Sequence, residues 1–240
     1  MAESIYDGII LYKERRYKEA LALFLSLPNN DTSKIDTSEM AYYIGLTYAR
    51  LERYDEALMY LEQVVTSDTD GKRGNQCRLA LAVIYSLTGR SRLADFELHK
   101  LLDSGYQTAE VYSALAYIQW EQSNPSDAVK YYERALELNP NSTSALNGLG
   151  YVLACLGRDL TRALSLCKKA VDTVPESAAF LDSLGWVYHK LGLQSEAKNY
   201  IKRARDKSTN NKEINNHYQE VIANAVATKE NDRLSARGNR

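Results

Sequence analysis

The 240-residue chain carries 30 Lys or Arg against 31 Asp or Glu, a formal net charge of −1, with 45% hydrophobic and 25% charged residues. That balance excludes wholesale disorder, collagen-like or low-complexity character, and a chain-wide basic surface made for nucleic acid. The 18 Tyr against 3 Phe, with only 4 Pro and 12 Gly, point to long helices that need aromatic packing between them.

The first residues, Met1 to Asp7, place acids ahead of any apolar run, unlike a secretory signal. No apolar stretch reaches the roughly 20 residues of a membrane span. The cytoplasm is therefore the expected location, although a periplasmic chain whose export signal had been removed would read the same way. Cys77, Cys155 and Cys167 lack metal-ligand or redox spacing.

Along the chain one pattern recurs. Ala20, Ala57, Ala94, Ala128, Ala163 and Ala197 fall 37, 37, 34, 35 and 34 residues apart. Twelve residues ahead of its alanine stands Gly8, Gly45, Ala82, Ala116 or Gly185; Gly150 stands thirteen ahead of Ala163, an insertion of one residue. Seven residues after each alanine come Leu27, Val64, Leu101, Ala135, Ala170 and Ala204. Small residues at fixed places let two helices approach closely. Phe24, Leu61, Leu98, Tyr132, Cys167 and Ile201, four residues after each alanine, would fill the grooves beside them. Each period reads as a hairpin of two helices of roughly 14 residues, about 20 Å long.

The expected hairpins span about 1–34, 38–71, 75–108, 109–142, 143–177 and 178–209. In the first, Asp7 stands where the others have Ile44, Leu81, Leu115, Leu149 and Leu184. A buried unpaired carboxylate is costly, so that helix is expected to be a frayed or solvent-facing cap. The polar stretches 29–34 and 67–72 are the expected flexible joints. Gly89, Gly157 and Gly192 are expected to end helices in the left-handed conformation. Asn124-Pro125 reads as a capping side chain followed by proline at the first helical position. Pro140 and Pro175 are expected to close second helices, with Ser142 and Ser177 capping the next. Residues about 212–226 read as one more helix covering the open face of the last hairpin, which gives a domain of 1–226. The remaining 227–240, Lys, Asn and Arg with one leucine, are expected to form a disordered basic tail.

In this register the chain resembles the tetratricopeptide repeat (TPR) family. The fourth repeat, Tyr112 to Pro140, reads YSALAYIQWEQSNPSDAVKYYERALELNP; the sixth, Phe180 to Ala204, reads FLDSLGWVYHKLGLQSEAKNYIKRA. The second, AYYIGLTYARLERYDEALMYLEQV, matches over both helices, and the likeness covers about residues 1–209. It implies an all-α, right-handed superhelical solenoid of about six TPR hairpins with a C-terminal capping helix. It also implies that the first helix of each hairpin lines a concave groove that binds a peptide or partner helix. By that likeness the expected contact residues are Tyr42, Leu46, Tyr117, Trp120, Asn147, Tyr151, Asp182, Trp186 and His189. The rings would supply desolvated anchors, while Asn147 and Asp182 would fix polar groups of the partner. Chaperone-binding members grip a C-terminal carboxylate with Lys, Asn and Arg; here those places hold Ile5, Ile9, Leu46 and Tyr43. An amphipathic helix or extended segment with apolar anchors is therefore expected, in place of an acidic chaperone tail.

Other chemistry has little support. Asp68, Asp70 and Gly71 approach a calcium loop, but Thr66 and Cys77 occupy the positions of its first acid and its bidentate Glu. Gly71-Lys72 lacks the upstream glycine of a phosphate loop. His99, His189 and His217 lie in separate regions without Cys or Asp at ligand spacing. Cys155 and Cys167 sit on opposite helices of one hairpin and read as packed thiols, with a bridge as the weaker alternative. No metal, no cofactor and no catalytic group are expected, so the chain reads as a non-enzymatic interaction scaffold or adaptor. One alternative is a self-associating assembly subunit. Another is an adaptor that contacts nucleic acid or another acidic partner through the end from Lys198 to Arg240, which holds 10 Lys or Arg against 5 Asp or Glu. Near-zero total charge ranks nucleic acid behind protein partners.

Overall fold

The computed structural model describes residues 4–27, 37–67 and 71–224, and these contain thirteen helices and no strand. Residues 29–34, Asp68, Asp70 and the 227–240 tail lie outside the described residues. The chain divides between Gln107 and Thr108 into two compact units. The first contains α1 (Ile5–Lys13), α2 (Tyr17–Ser26), α3 (Thr37–Arg50), α4 (Tyr54–Ser67), α5 (Lys72–Leu87) and α6 (Ser91–Asp103). The second contains α7 (Ala109–Glu121), α8 (Pro125–Leu138), α9 (Thr143–Cys155), α10 (Leu160–Thr173), α11 (Ala178–Lys190) and α12 (Gln194–Lys207). A final helix, α13, covers residues 212–224.

Within each unit the helices pair in succession as hairpins, and each second helix packs on the first helix of the hairpin that follows. First helices also pack side by side: α1 with α3 and α3 with α5 in the first unit, α7 with α9 and α9 with α11 in the second. The all-α repeat class follows directly from the sequence period. All six register alanines are fully buried. A Cβ on Gly8 would stand 2.4 Å from Phe24 Cε1, and one on Gly150 would stand 2.5 Å from Cys167 Sγ. In the four repeats with glycine at this place, Gly8, Gly45, Gly150 and Gly185, the small residue of the first helix therefore receives the groove-filling residue of its own second helix, as the register requires. Gly148 is a further close approach, built against the Tyr132 ring of the preceding hairpin. The periodicity alone does not reveal it, because no other repeat has a glycine at that place.

The turns inside the hairpins are left-handed. Gly89, Gly157 and Gly192 have φ of 74, 63 and 76°, while Arg15, Glu52 and Ser123 take the same conformation at 63, 60 and 63°. The residue inserted in the fifth repeat leaves Asp159 at φ 39°, with its carboxylate accepting from Arg162 N at 3.0 Å. Ser142 and Ser177 cap α9 and α11 through the backbone N–H of Ala145 and Phe180. Pro125 occupies the first turn of α8, but the Asn124 side chain does not cap that helix. Its amide donates to Gln119 Oε1 at 3.1 Å across the turn. Asp7 is exposed and accepts from Ser4 N at 2.9 Å and Ser4 Oγ at 2.8 Å, which holds its carboxyl below the usual range. A carboxylate in the first turn also complements the helix dipole. Among the described residues no helix is long and apolar enough to cross a membrane.

Candidate functional site

In the first unit Tyr42 and Leu46 lie on α3, both half-buried. Tyr42 meets Tyr43 edge-on at 5.2 Å, and Tyr43 in turn meets Tyr12 at 5.8 Å. Burial pushes the Tyr42 hydroxyl up to about 12. Val83 and Leu87, one turn apart on the neighbouring α5, are exposed. The first helices α3 and α5 thus carry half-buried Tyr42 and Leu46 and exposed Val83 and Leu87.

In the second unit the expected residues come from α7 (Tyr117, Trp120), α9 (Asn147, Tyr151) and α11 (Asp182, Trp186, His189). Tyr117 is 47% exposed, whereas Asp182, Trp186 and His189 are only 5, 6 and 8% exposed. Trp120 and Tyr151 are half-buried and meet edge-on at 6.2 Å. The burial of the α11 residues has a specific cause. Helix α13 lies against them, and its His217 ring stacks on Trp186 at 4.1 Å and 20°. His217 Nδ1 also stands 2.8 Å from Asp182 Oδ2. Tyr151 Oη donates to Glu213 Oε1 at 2.7 Å, and His189 Nε2 lies 3.4 Å from Glu220 Oε1 and 3.3 Å from Asn224 Nδ2. From α12, Arg205 sits 4.3 Å over the Tyr218 ring.

The electrostatics follow from this burial. Removal from water pushes the Asp182 carboxyl up, and its bond and charge pairing with His217 oppose the shift. The Tyr151 hydroxyl is pushed well above its ordinary value, first by burial and then by the Glu213 carboxylate it serves as donor. Burial also raises the Cys155 and Cys167 thiols, Cys167 to about 12, so these free cysteines are held as neutral packed groups. Asn147 Oδ1 and Asp182 Oδ1 are buried and have no hydrogen-bond partner among the described residues. Trp186 Nε1 is likewise buried with no hydrogen-bond partner among the described residues.

The expected site residues thus separate into an open group and a covered group. Tyr42, Leu46, Tyr117 and Trp120 keep exposed surface; Asp182, Trp186 and His189 are roofed by α13. Glu213, His217 and Glu220 belong to this arrangement but escape a reading of the register, because α13 is not a repeat. Their signal lies in the spacing of Ile214, His217 and Val221, which falls on one helical face and is buried. Among the described residues no group of three His, Cys, Asp or Glu could hold a metal. On the basic helix α12, Arg203 lies over Tyr200 and Lys207 pairs with Glu176, so part of that charge is already engaged.

Tetratricopeptide repeat profiles match residues 113–178, and also 38–70 and 178–204. The uncharacterized protein ycf37 of Pyropia yezoensis is 33% identical over 134 residues, covering 56% of this chain and 68% of that protein. Protein O-mannosyl-transferase TMTC1 of Homo sapiens is 24% identical over 170 residues, which is 70% of this chain but only 19% of that protein. The chain therefore spans about a fifth of the length of that relative. A chain of the APC/C hetero-tetramer Cut9-Hcn1 superposes with a TM-score of 0.75 at 14% identity, over 91% of this chain and 42% of its own. Likeness at that identity carries the fold and not the activity. Tetratricopeptide repeat proteins are generally protein-interaction scaffolds. With its repeated hairpins, its register of small residues and these matches, the chain belongs to the tetratricopeptide repeat family.

Proposed function

We propose that this protein is a non-catalytic scaffold that holds a segment of a partner protein against the first helices of its hairpins. The observation that carries the reading is the exposed Tyr117 ring on α7, three residues before Trp120, which itself meets Tyr151 of α9 edge-on. A tyrosine left half in water on a face of first helices supplies the amphipathic, low-entropy contact that dominates binding energy at interfaces. In the first unit Tyr42, Leu46 and Val83 provide a second stretch of apolar lining. The partner that fits is an amphipathic or extended segment with apolar anchors.

The test compares capture from cell lysate by the wild type and by a variant combining Tyr42→Ala, Leu46→Ala and Tyr117→Ala. A second variant, Met59→Ser, alters an exposed apolar residue on a second helix and serves as control. Circular dichroism first establishes that all three are folded. The expected result is a set of partners held by the wild type and by Met59→Ser and lost by the triple variant. Identical capture by all three would overturn the reading.

A further inference from the structure

Helix α13 sits on the second unit as a bound segment would. It buries a single stripe, Ile214, His217 and Val221, of which His217 meets Tyr151 of α9 and Asp182 and Trp186 of α11, while Glu213, Asn216, Gln219 and Glu220 remain exposed. Spacing of i, i+3 and i+7 is how an amphipathic helix docks in a groove. Only two aliphatic side chains of that stripe are deeply buried; the rest of the seat is polar. It consists of Tyr151 to Glu213, Asp182 to His217 with the Trp186 stack, and His189 to Glu220. The hairpin interfaces are different in kind, with fully buried alanines and aliphatic residues throughout.

The seat is also incompletely satisfied. Asn147 Oδ1 and Asp182 Oδ1 are buried acceptors that α13 leaves without a donor among the described residues. Burial of an unpaired acceptor is unfavourable, so a helix that brought a donor to these points would bind better than α13 does.

We infer that the α9–α11 face is a helix-binding seat that α13 occupies in cis, and that a partner's amphipathic helix displaces it. The partner helix carries apolar anchors spaced as Ile214 and Val221, with a cationic or hydrogen-bond-donating residue between them opposite Asp182. This inference rests on the scaffold reading but concerns different residues, since Tyr42, Leu46 and Tyr117 are the ones that test that reading. Occupancy in cis lowers the apparent affinity for any competing helix by the fraction of time the seat is filled.

The experiment uses the full chain and a fluorescein-labelled synthetic peptide with the sequence of residues 210–224, read by fluorescence anisotropy. Two proteins are compared, the wild type and a variant with Ile214→Ala and His217→Ala, which loosens α13 and leaves the seat intact. The variant should bind the peptide at least tenfold more tightly than the wild type. Adding Asp182→Asn to it should weaken binding severalfold, and a His217→Ala peptide should bind at least fivefold more weakly than the native peptide. Equal binding by wild type and folded variant would overturn the inference, as would indifference to His217 in the peptide. Should the double variant fail to fold, hydrogen exchange on the wild type decides the matter. Amides of 212–224 exchanging at least tenfold faster than the core of α11 support a displaceable helix; exchange of both at one common rate makes α13 a fixed cap and refutes the proposal. Loss of the peptide result alone leaves the Tyr42, Leu46 and Tyr117 capture result standing, so the two readings fail separately.

Discussion

Ser123 holds φ at 63° in the turn between α7 and α8, the place where Gly89 and Gly192 stand in their own hairpins. For a residue with a Cβ that conformation brings the side chain against the following carbonyl and costs roughly 1–2 kcal/mol, a penalty glycine escapes. Arg15 and Glu52 bear the same strain in the first two hairpins. The repeat is thus built on a turn geometry rather than on a turn residue, and packing of the buried alanines on either side enforces it. Ser123→Gly should therefore stabilise the protein by about 1 kcal/mol, less the extra entropy glycine gives the unfolded chain. An upward shift of the urea midpoint with unchanged slope is the expected outcome, and a downward shift would show that the Ser123 side chain contributes more than its strain costs.

At the scale of the helix pair, the close approach of α11 and α12 depends on Gly185. A Cβ there would lie 2.5 Å from Ile201 Cγ1, 2.9 Å from Ile201 N and 3.2 Å from Ala197 O. A side chain can turn aside, but two of those three atoms belong to backbone, so the helices themselves must separate. Gly185→Ala should destabilise by about 1–3 kcal/mol in spite of alanine's better helix propensity, as overpacking does elsewhere. Urea unfolding followed by the helical signal checks this, and a stabilised variant would mean the pair can open without cost. This contact was legible in the sequence, because Gly185 and Ile201 stand at fixed distances from Ala197 in a register that six repeats share. The Asn124 cap was not legible. A side chain at an N-cap position has several acceptors and donors in reach, and here Gln119 took it. The seat of α13 was half legible: the extra helix follows from Ile214 and Val221, but its placement over Asp182 and Trp186 depends on pairings between residues about 35 positions apart. No period encodes those pairings. His217 looked solitary in the sequence because its partner is brought by folding alone.

For the molecule as a whole, the choice of 18 Tyr over 3 Phe has a measurable consequence. Tyr rings fill half-buried places between helices, and burial raises their hydroxyls: Tyr42 and Tyr85 to about 12, with Tyr117, Tyr132 and Tyr151 raised as well. A group whose folded value exceeds its unfolded value of about 10 stabilises the fold fully below that pH. The stabilisation is lost as pH rises from about 10 through the folded value, because only the unfolded chain gains the free energy of ionisation. Tyr132 isolates the effect, since it is buried between α8 and the Gly148 backbone. Tyr132→Phe cannot ionise in either state, while other groups that titrate in this range are common to both proteins and cancel in the difference. At about pH 11 an unfolded tyrosine gains about 1.4 kcal/mol by ionising, so the variant should be more stable relative to wild type at pH 11 than at pH 8 by about that amount. Parallel urea titrations of the two proteins at the two pH values measure it. A difference that does not change with pH would mean that the Tyr132 hydroxyl ionises as readily in the folded protein as in the unfolded chain, and that its ring is not sealed between the helices.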